Sequence, residues 1–256
     1  MTATRLHVLS TGEMTSSLDG FLAGEAGDIT YPILTYVIEH PRGLVVIDTG
    51  LHPEIAESTA RLRKLDGMFR PHLAADGSSA VGPVLSAAGF DPTQVSDVIL
   101  THLHFDHGGG LLQIPNARVI VQAREWGVLR DERQVAIGAY NPDDVDLGHD
   151  RVEIDGDHDV FGDGSVTCLL TDGHTAGHQS VRVVTETGTY LVCGDCCYLR
   201  RSLENEHLPN FGFDRQRQLH SVRRLAGERD RGATLLFGHD PDQLSQKVAE
   251  GLHPGV

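Results

Sequence analysis

The sequence predicts an α/β fold with many antiparallel strands, built as a single domain over residues 1–256. Apolar runs of strand length alternate with segments of helical spacing, and three such runs follow one another between residues 166 and 193. At 256 residues the chain is long enough to bury a substantial core. It contains no internal repeat, low-complexity tract or Pro/Ser-rich linker, which favours one layered domain over two.

The first half of the chain predicts a strand pair followed by shorter elements. Tyr31 to Glu39 is rich in aromatic and β-branched residues, and Gly43 to Ile47 follows after a short turn, so these segments predict a hairpin. Ile55 to Leu65 has helical spacing and predicts a helix, whereas Asp66 to Gly82 shows no clear period and predicts a long loop. The other elements expected in this half are a short helix over Val84–Ala88, a buried strand over Val95–Leu100, a strand over Arg118–Val121 and a helix over Arg124–Leu129.

The second half is expected to contain more strands than helices. Gln134 to Gly148 is polar and without a period, so it predicts an irregular segment. Val181 to Thr185 and Thr189 to Cys193 predict two strands joined through a short polar turn. The remaining predictions are a strand over Val166–Leu170, a helix over Arg215–Leu225, a strand over Thr234–Phe237 and a last helix over Gln243–Glu250.

Charge and cysteine usage limit the classes of partner and compartment. The chain has 21 basic and 36 acidic residues, a formal net charge of −15, and no basic cluster, so nucleic acid and anionic membranes are not expected partners. No apolar stretch reaches the roughly 18 residues of a membrane span, and the first ten residues lack the apolar segment of a secretory signal. Cys193, Cys196 and Cys197 crowd into five positions, which is a poor disulfide framework and fits a reducing cytosol. We therefore expect a cytoplasmic protein.

The strongest functional signal is the H-x-H-x-D-H pattern formed by His102, His104, Asp106 and His107. With 15 histidines in the chain, this pattern is expected by chance only about 0.005 times in a sequence of this length. A buried strand is predicted to end just before it, and Gly108 to Gly110 follow, so we expect the backbone to turn tightly around an ion. Imidazole nitrogens and a carboxylate oxygen are ligands that suit zinc and related divalent ions.

Four residues cannot complete the ligand shells of two metal ions, so a dinuclear site needs further ligands downstream. His174, Asp195 and His239 each follow an apolar run and lie beside a glycine. Because open α/β sheets build their sites where strand ends meet, these three side chains are expected to converge with the first four.

Together these seven residues resemble the ligand set of the metallo-β-lactamase superfamily, and the segment V-I-D-T-G at Val46–Gly50 resembles its early strand-turn signature. The resemblance runs from about Asp48 to Asp240. It implies an αββα sandwich with two divalent ions, expected to be Zn²⁺, at one edge of the sheets. By this analogy one ion is held by His102, His104 and His174, the other by Asp106, His107 and His239, and Asp195 bridges the two.

Several neighbouring residues are not expected to bind metal. The superfamily places its ligand first in the G-H-x-x-G-H pattern, which favours His174 and leaves His178 in a supporting position. Cys193 and Cys196 have no second pair and are interpreted as small buried residues around a ligand turn. Asp48 is expected to orient histidine ligands through hydrogen bonds.

Within the superfamily, the sequence resembles the bacterial N-acyl homoserine lactonases. This resemblance rests on Tyr198, three positions after Asp195, on G-H-Q-S from Gly177 and on F-G-H-D from Phe237. Oxygen-reducing di-iron members have a glutamate where His104 stands. Members that cleave nucleic acid need positive charge, and true β-lactamases usually carry an active-site Lys or Arg that is not evident here. Adjacent cysteines replace the alanine or serine types usual after the bridging aspartate, which affects the expected shape of the pocket.

The resemblance implies that a hydroxide bridging two metal ions opens the lactone ring of the substrate. Tyr198 is expected to donate a hydrogen bond to the developing oxyanion, and Asp106 to deliver a proton to the leaving alkoxide. Met68 and Phe69 in a loop, with Phe105, are candidates for contact with the acyl chain. The alternatives are a related lactonase of the pyridoxolactonase kind, a thioester hydrolase of the glyoxalase II kind, and a metal-loaded lactone-binding protein without turnover.

Overall fold

A computed structural model describes residues 5–243 and 253–254 of the chain. The strands in this part are, in chain order, β1 (Arg5–Ser17), β2 (Asp28–His40), β3 (Gly43–Ile47), β4 (Arg70–His72), β5 (Val95–Ile99), β6 (Arg118–Gln122), β7 (Arg151–Ile154), β8 (His158–Asp159), β9 (Val166–Leu170), β10 (Gln179–Thr185), β11 (Gly188–Val192), β12 (Thr234–Leu236) and β13 (His253–Pro254). The α-helices are α1 (Val81–Ala87), α2 (Ala123–Val128), α3 (Glu132–Ile137), α4 (Pro142–Val145), α5 (Arg200–Glu204) and α6 (Arg215–Asp230). Short 3-10 helices cover Leu18–Gly20, Pro53–Ala56, Thr59–Leu65, Pro92–Gln94, Leu111–Gln113 and Gly194–Cys196.

The strands form two sheets whose topology directs several strand ends to one edge. The first sheet has the order β13-β1-β2-β3-β5-β6-β7, with β4 paired to β1, and the second has the order β12-β11-β10-β9-β8. In the first sheet β3, β5, β6 and β7 run parallel. In the second, β9 and β11 are both antiparallel to β10, and β12 is parallel to β11. The carboxyl ends of β9, β11 and β12 therefore lie at the same end of their sheet.

Apolar side chains on the inner faces of the two sheets form the central core. Ile47 and Ile99 of the first sheet pack with Val181 and Val192 of the second, and all four are fully or almost fully buried. Helices α1 and α2 cover the outer face of the first sheet, and α5 and α6 cover that of the second. This four-layer arrangement confirms the predicted αββα sandwich. Within the described residues no helix has the length and apolar character that crossing a membrane requires.

Most of the predicted strands are confirmed. The hairpin forms from β2 and β3, and β5, β6, β9, β10, β11 and β12 lie within a residue or two of their expected positions. The short helix predicted from Val84 begins earlier, at Val81, and the helix predicted over Arg215–Leu225 continues to Asp230. The helix predicted over Gln243–Glu250 lies outside the described residues except for its first residue.

Three segment predictions are wrong. The expected helix over Ile55–Leu65 is two 3-10 helices, and Arg63 within the second has a φ of 54°, which breaks the helical path. The expected loop over Asp66–Gly82 contains β4, which pairs with β1. The expected irregular segment over Gln134–Gly148 contains most of α3, whose end is a left-handed Gly138, and all of α4.

Candidate metal centre and active site

The predicted site residues lie in turns that follow four strands ending at one edge of the sandwich. His102 follows β5, His174 follows β9, Asp195 lies in the 3-10 helix after β11, and His239 follows β12. The amide of His239 donates to the carbonyl of Tyr198 at 2.9 Å, which joins the last two turns. Side chains from both sheets therefore meet at this edge.

His102, His104 and His174 form the first group, called here the three-histidine cluster. His102 Nε2 lies 3.0 Å from His104 Nδ1 and 3.2 Å from His174 Nε2. The distance from His174 Nε2 to His104 Nδ1 is 3.1 Å. Burial lowers the pKa of His102 and His174 well below the usual value, so both imidazoles are neutral at pH 7 and can offer a lone pair.

Asp106, His107 and His239 form the second cluster, and Asp195 lies between the two. Asp106 Oδ2 is 3.7 Å from His239 Nε2 and 3.9 Å from His107 Nε2. One oxygen of Asp195, Oδ1, lies 3.1 Å from His239 Nε2 and 3.3 Å from His107 Nε2. Its other oxygen, Oδ2, faces the three-histidine cluster, 3.5 Å from the Nε2 of His174. The carboxylate of Asp195 thus presents one oxygen to each cluster.

Hydrogen bonds outside the clusters set which nitrogen of each histidine faces inward. Thr101 Oγ1 donates to Asp48 Oδ2 at 2.8 Å and accepts from His102 Nδ1 at 3.1 Å. Asp48 Oδ2 also accepts from His107 Nδ1 at 2.8 Å. In both histidines Nδ1 donates to these outer partners, and Nε2 faces the cluster. Asp48 therefore orients a histidine, as predicted, and belongs to neither cluster.

Charge in the second cluster is strongly coupled to Asp195. Burial disfavours the charged form of His107 and His239, but Asp195, with smaller contributions from Asp106, outweighs this and raises the pKa of both histidines. Burial likewise opposes the ionised form of Asp195, yet His107 and His239 hold the pKa of this carboxyl well below its usual range. One negative carboxylate and two positive imidazoles, each dependent on the others, are therefore buried at this edge.

The donor set fits two divalent cations. His107 Nε2 and Asp195 Oδ1 are buried and make no hydrogen bond within the described part of the chain, although each faces its cluster. Ligand nitrogens at about 2.0–2.1 Å from a tetrahedral ion lie about 3.3 Å apart. The three-histidine cluster, with nitrogens 3.0–3.2 Å apart, is close to that spacing. A cation at each cluster would bind the donor atoms that face one another there.

Glycines beside the predicted ligands allow close approach of the backbone. The chain turns tightly after His104, whose carbonyl accepts from the amides of His107 and Gly108. Gly109 and Gly110 take part without a positive φ, and a Cβ on Gly110 would lie 2.2 Å from Thr49 O. A Cβ on Gly238 would lie 2.7 Å from Gly194 O and 3.0 Å from Asp195 Oδ1. Any side chain at Gly238 would therefore displace the Asp195 turn.

The two side chains predicted to act on substrate also lie at this edge. Tyr198 is buried, and its hydroxyl lies 3.0 Å from His174 Nδ1. Its ring packs at 4.8 Å from Phe21 and is stacked at 5.9 Å from His239. Burial, reinforced by Asp195 and Asp106, raises the pKa of the Tyr198 phenol well above its usual value.

The remaining predicted residues lie behind the clusters. His178 is fully buried, and its Nδ1 donates to Thr171 Oγ1 at 3.0 Å while its Nε2 accepts from the amide of Cys196 at 3.2 Å. Both nitrogens are thus occupied, and His178 supports the turn that contains Asp195. The cysteines are free and buried, and Cys193 and Cys196 belong to the apolar layer under α5 and α6.

Aromatic side chains lie beside the two clusters. Phe69 and Phe105 meet edge to face at 5.4 Å, and Met68 is 62% exposed. Phe211, which the sequence did not single out, is 53% exposed with its ring 6.4 Å from that of His174. An aromatic in a polar loop carries no local signal that would have identified it.

Comparison with known proteins places this geometry in a family. A family model described as the metallo-β-lactamase superfamily matches residues 29–239. The chain belongs to the metallo-β-lactamase superfamily. Among relatives within that superfamily, the N-acyl homoserine lactonase AttM of Azorhizobium caulinodans is 31% identical, and the alignment covers 99% of this chain and 100% of the relative. The N-acyl homoserine lactonase AiiA of Bacillus thuringiensis subsp. kurstaki is 30% identical over 84% of each chain.

A solved structure of a similar protein has the same architecture. The structure of an N-acyl homoserine lactone hydrolase with the product N-hexanoyl-L-homoserine bound at its catalytic metal centre superposes with a TM-score of 0.85. The two proteins are 27% identical, and the superposition covers 96% of this chain and 97% of the other. The predicted superfamily of this chain and its predicted resemblance to the N-acyl homoserine lactonases are both confirmed.

Proposed function

We propose that this protein hydrolyses the lactone ring of N-acyl homoserine lactones, and that it does so with two zinc ions. The observation that carries the proposal is the Tyr198 hydroxyl, 3.0 Å from His174 Nδ1 beside two facing ligand clusters. Relatives that match the chain over most of its length are named for this activity, which supports the same conclusion. Five imidazoles and two carboxylates are a donor set that suits zinc.

In this proposal the three-histidine cluster holds one ion, the second cluster holds the other, and Asp195 is shared. When bound, the ions supply Lewis acidity for the substrate carbonyl and lower the pKa of water to about 7. The protein fixes the donor atoms in advance. Asp48 and Thr101 orient two of the histidines, and the Pro32 carbonyl accepts from His239 Nδ1 at 3.0 Å.

Tyr198 acts as a neutral hydrogen-bond donor. Since His174 presents Nε2 to its cluster, its Nδ1 carries the hydrogen and donates to the Tyr198 oxygen. The phenol hydrogen is then available to the carbonyl oxygen of the lactone as negative charge develops on it. Because the pKa of Tyr198 is raised well above its usual value, the phenol remains protonated at neutral pH and stabilises the oxyanion without losing its proton.

Asp106 performs the proton transfer that completes ring opening. Attack by water releases one proton, and cleavage of the ring C–O bond leaves an alkoxide on the same molecule. The Asp106 carboxylate is buried in the second cluster, 3.7 Å from His239 Nε2, where it can accept the first proton and deliver it to the leaving oxygen.

The acyl chain lies against the apolar side of the site. We assign this contact to the edge-to-face pair of Phe69 and Phe105 and to the exposed side chains of Met68 and Phe211. Apolar contact of this kind contributes roughly 0.8 kcal/mol for each CH₂ group buried. Longer acyl chains should therefore bind more tightly until the chain passes beyond these side chains.

We also propose a cytoplasmic location and no macromolecular partner. The four cysteines are free and buried, which fits a reducing compartment. The net charge of −15 disfavours nucleic acid and anionic membranes, so the partner is a small lactone.

Proton release at pH 7 tests the activity, with a short-chain and a long-chain N-acyl homoserine lactone and metal analysis of the same sample. We expect acid release with about two zinc ions per chain. His104→Ala should abolish it, whereas Glu186→Gln, at an exposed turn between β10 and β11, should not. A protein that carries two ions and opens neither lactone would refute the substrate, and S-lactoylglutathione and pyridoxolactone would then be tested on that preparation.

A further inference from the structure

Glu125 is a buried acidic residue that the proposed mechanism does not use. It lies in α2 with no exposed surface, and it makes no ion pair with an arginine or lysine in residues 5–243. A carboxylate so placed is costly unless hydrogen bonds and a nearby cation compensate it. The burial of Glu125 therefore needs an explanation other than packing.

Both carboxylate oxygens of Glu125 accept amides from the two loops of the three-histidine cluster. Oε1 accepts from the amide of Leu103 at 3.1 Å, and this residue lies between His102 and His104. Oε2 accepts from the amide of Gly177 at 2.8 Å, three positions after His174. One side chain thus joins the loops that contain all three histidines.

The approach of the second loop to Glu125 depends on a glycine. A Cβ on Gly177 would lie 2.5 Å from the Glu125 backbone nitrogen and 2.7 Å from its Cβ. The loop is therefore pressed directly against the start of α2. Tyr140 adds a third donor, with its hydroxyl 3.3 Å from Oε1 and its ring 4.8 Å from that of His104.

We propose that Glu125 is a positioning residue for the metal ion at the three-histidine cluster, which it serves by holding the Leu103 and Gly177 amides at a fixed separation. This inference rests on the metal site proposed above. The carboxylate group matters as well as the shape of the side chain, because each of its two oxygens accepts from one loop, whereas the amide of a glutamine has one oxygen. A divalent cation at the cluster supplies the positive charge that the buried carboxylate lacks.

Glu125→Gln tests the proposal, because the amide keeps the volume and leaves one oxygen to accept one loop. The two stepwise zinc dissociation constants are measured by competition with a chromophoric chelator, and thermal unfolding of the metal-free protein is recorded alongside. Repeating the measurement in a His239→Ala background, which lacks a ligand of the second cluster, assigns the affected ion. Gln122→Ala is the matched control, because Gln122 is equally buried three positions earlier and bonds to Gly156 and to the Gln179 side chain, not to the amides of Leu103 and Gly177.

We expect Glu125→Gln to weaken zinc binding at the three-histidine cluster by about 10–100-fold and to leave the other constant within about threefold. Gln122→Ala should lower the unfolding temperature while both constants stay within about threefold of wild type. If Glu125→Gln does not fold, Glu125→Asp, which keeps the charge on a shorter side chain, should show a smaller loss at the same ion.

Two results would overturn the inference, and both differ from failure of the proposed function. If Glu125→Gln lowers the unfolding temperature but binds both ions as tightly as wild type, Glu125 is only structural. If both constants weaken equally, the residue does not act on one cluster. If wild type itself binds no zinc through the clusters, the proposed function fails and this inference fails with it.

Discussion

Replacing Tyr198 by phenylalanine isolates the contribution of one hydroxyl. The ring packs against Phe21 at 4.8 Å and lies in a buried cluster, so phenylalanine keeps that packing and only the O–H is lost. Losing one donor to a developing oxyanion typically lowers kcat by about 100–1,000-fold, or about 2.7–4 kcal/mol. His174 Nδ1 also loses its acceptor at 3.0 Å, and an unpaired buried donor costs about 1–3 kcal/mol of stability.

The expected result is therefore a large fall in kcat, little change in KM, two retained metal ions and a modestly lower unfolding temperature. Proton release under saturating lactone gives kcat, and metal analysis shows whether the clusters remain filled. Tyr31→Phe is the matched control, because Tyr31 is equally buried and packs on His239 at 4.9 Å, yet its hydroxyl makes no hydrogen bond to a cluster residue within residues 5–243. A Tyr198→Phe enzyme with both ions and a kcat within about threefold of wild type would refute the assigned role.

Three further predictions concern the Asp195 turn, an ion pair outside the site and the bound metal. Gly238→Ala should cost at least one metal ion, because its Cβ would lie 3.0 Å from Asp195 Oδ1; a folded variant that retains two ions by metal analysis would contradict this. Asp157→Asn should lower the free energy of unfolding in urea at pH 7. Burial raises the pKa of Asp157, but hydrogen bonds from Arg224 and the Leu170 amide, together with the nearby arginine charges, outweigh burial and lower it. The stabilisation by ionised Asp157 is present above its unfolded pKa of about 4 and is lost as the pH falls. The difference in unfolding free energy between wild type and variant should therefore narrow below pH 4. A difference that stays constant with pH would exclude the Asp157–Arg224 pair as its source. Removal of metal by a chelator should lower the unfolding temperature, and added zinc should restore it. Free zinc at about 100 times its Kd stabilises the folded state by about 2.7 kcal/mol. Equal melting curves with and without chelator would argue against metal in the folded protein.

The sequence was most informative where the chemistry is local. His102 and His104 are two positions apart at a strand end, so their pattern is visible without any knowledge of the fold. His174, Asp195 and His239 could also be predicted, because each follows an apolar run whose end can be located by pattern alone. Strands in a layered fold bring such ends together, and the structure places all of these residues at one edge.

Features that depend on distant partners were not predictable. Glu125 has the appearance of a solvent-exposed residue on a short helix, and its importance depends on amides 22 and 52 positions away. The expected helix over Ile55–Leu65 failed for a similar reason: its apolar spacing is helical, but the backbone turns at Arg63 so that Leu62 and Leu65 can enter the cluster beside Tyr198. The spacing of apolar residues indicates which side chains are buried. It does not determine the backbone conformation that buries them.

The buried charge of the site links metal binding to folding. Four carboxylates are buried around this edge, and none of them pairs with an arginine or lysine in residues 5–243; they are Asp48, Asp106, Glu125 and Asp195. Without metal, protonated His107 and His239 are the groups that offset them, as the raised pKa of both residues indicates. Two divalent cations would carry as much positive charge as the four carboxylates carry negative charge. Because unpaired buried ions cost several kcal/mol each, the metal-loaded protein should be the more stable form, and the carboxylates that position the ligands also set the affinity for the ions.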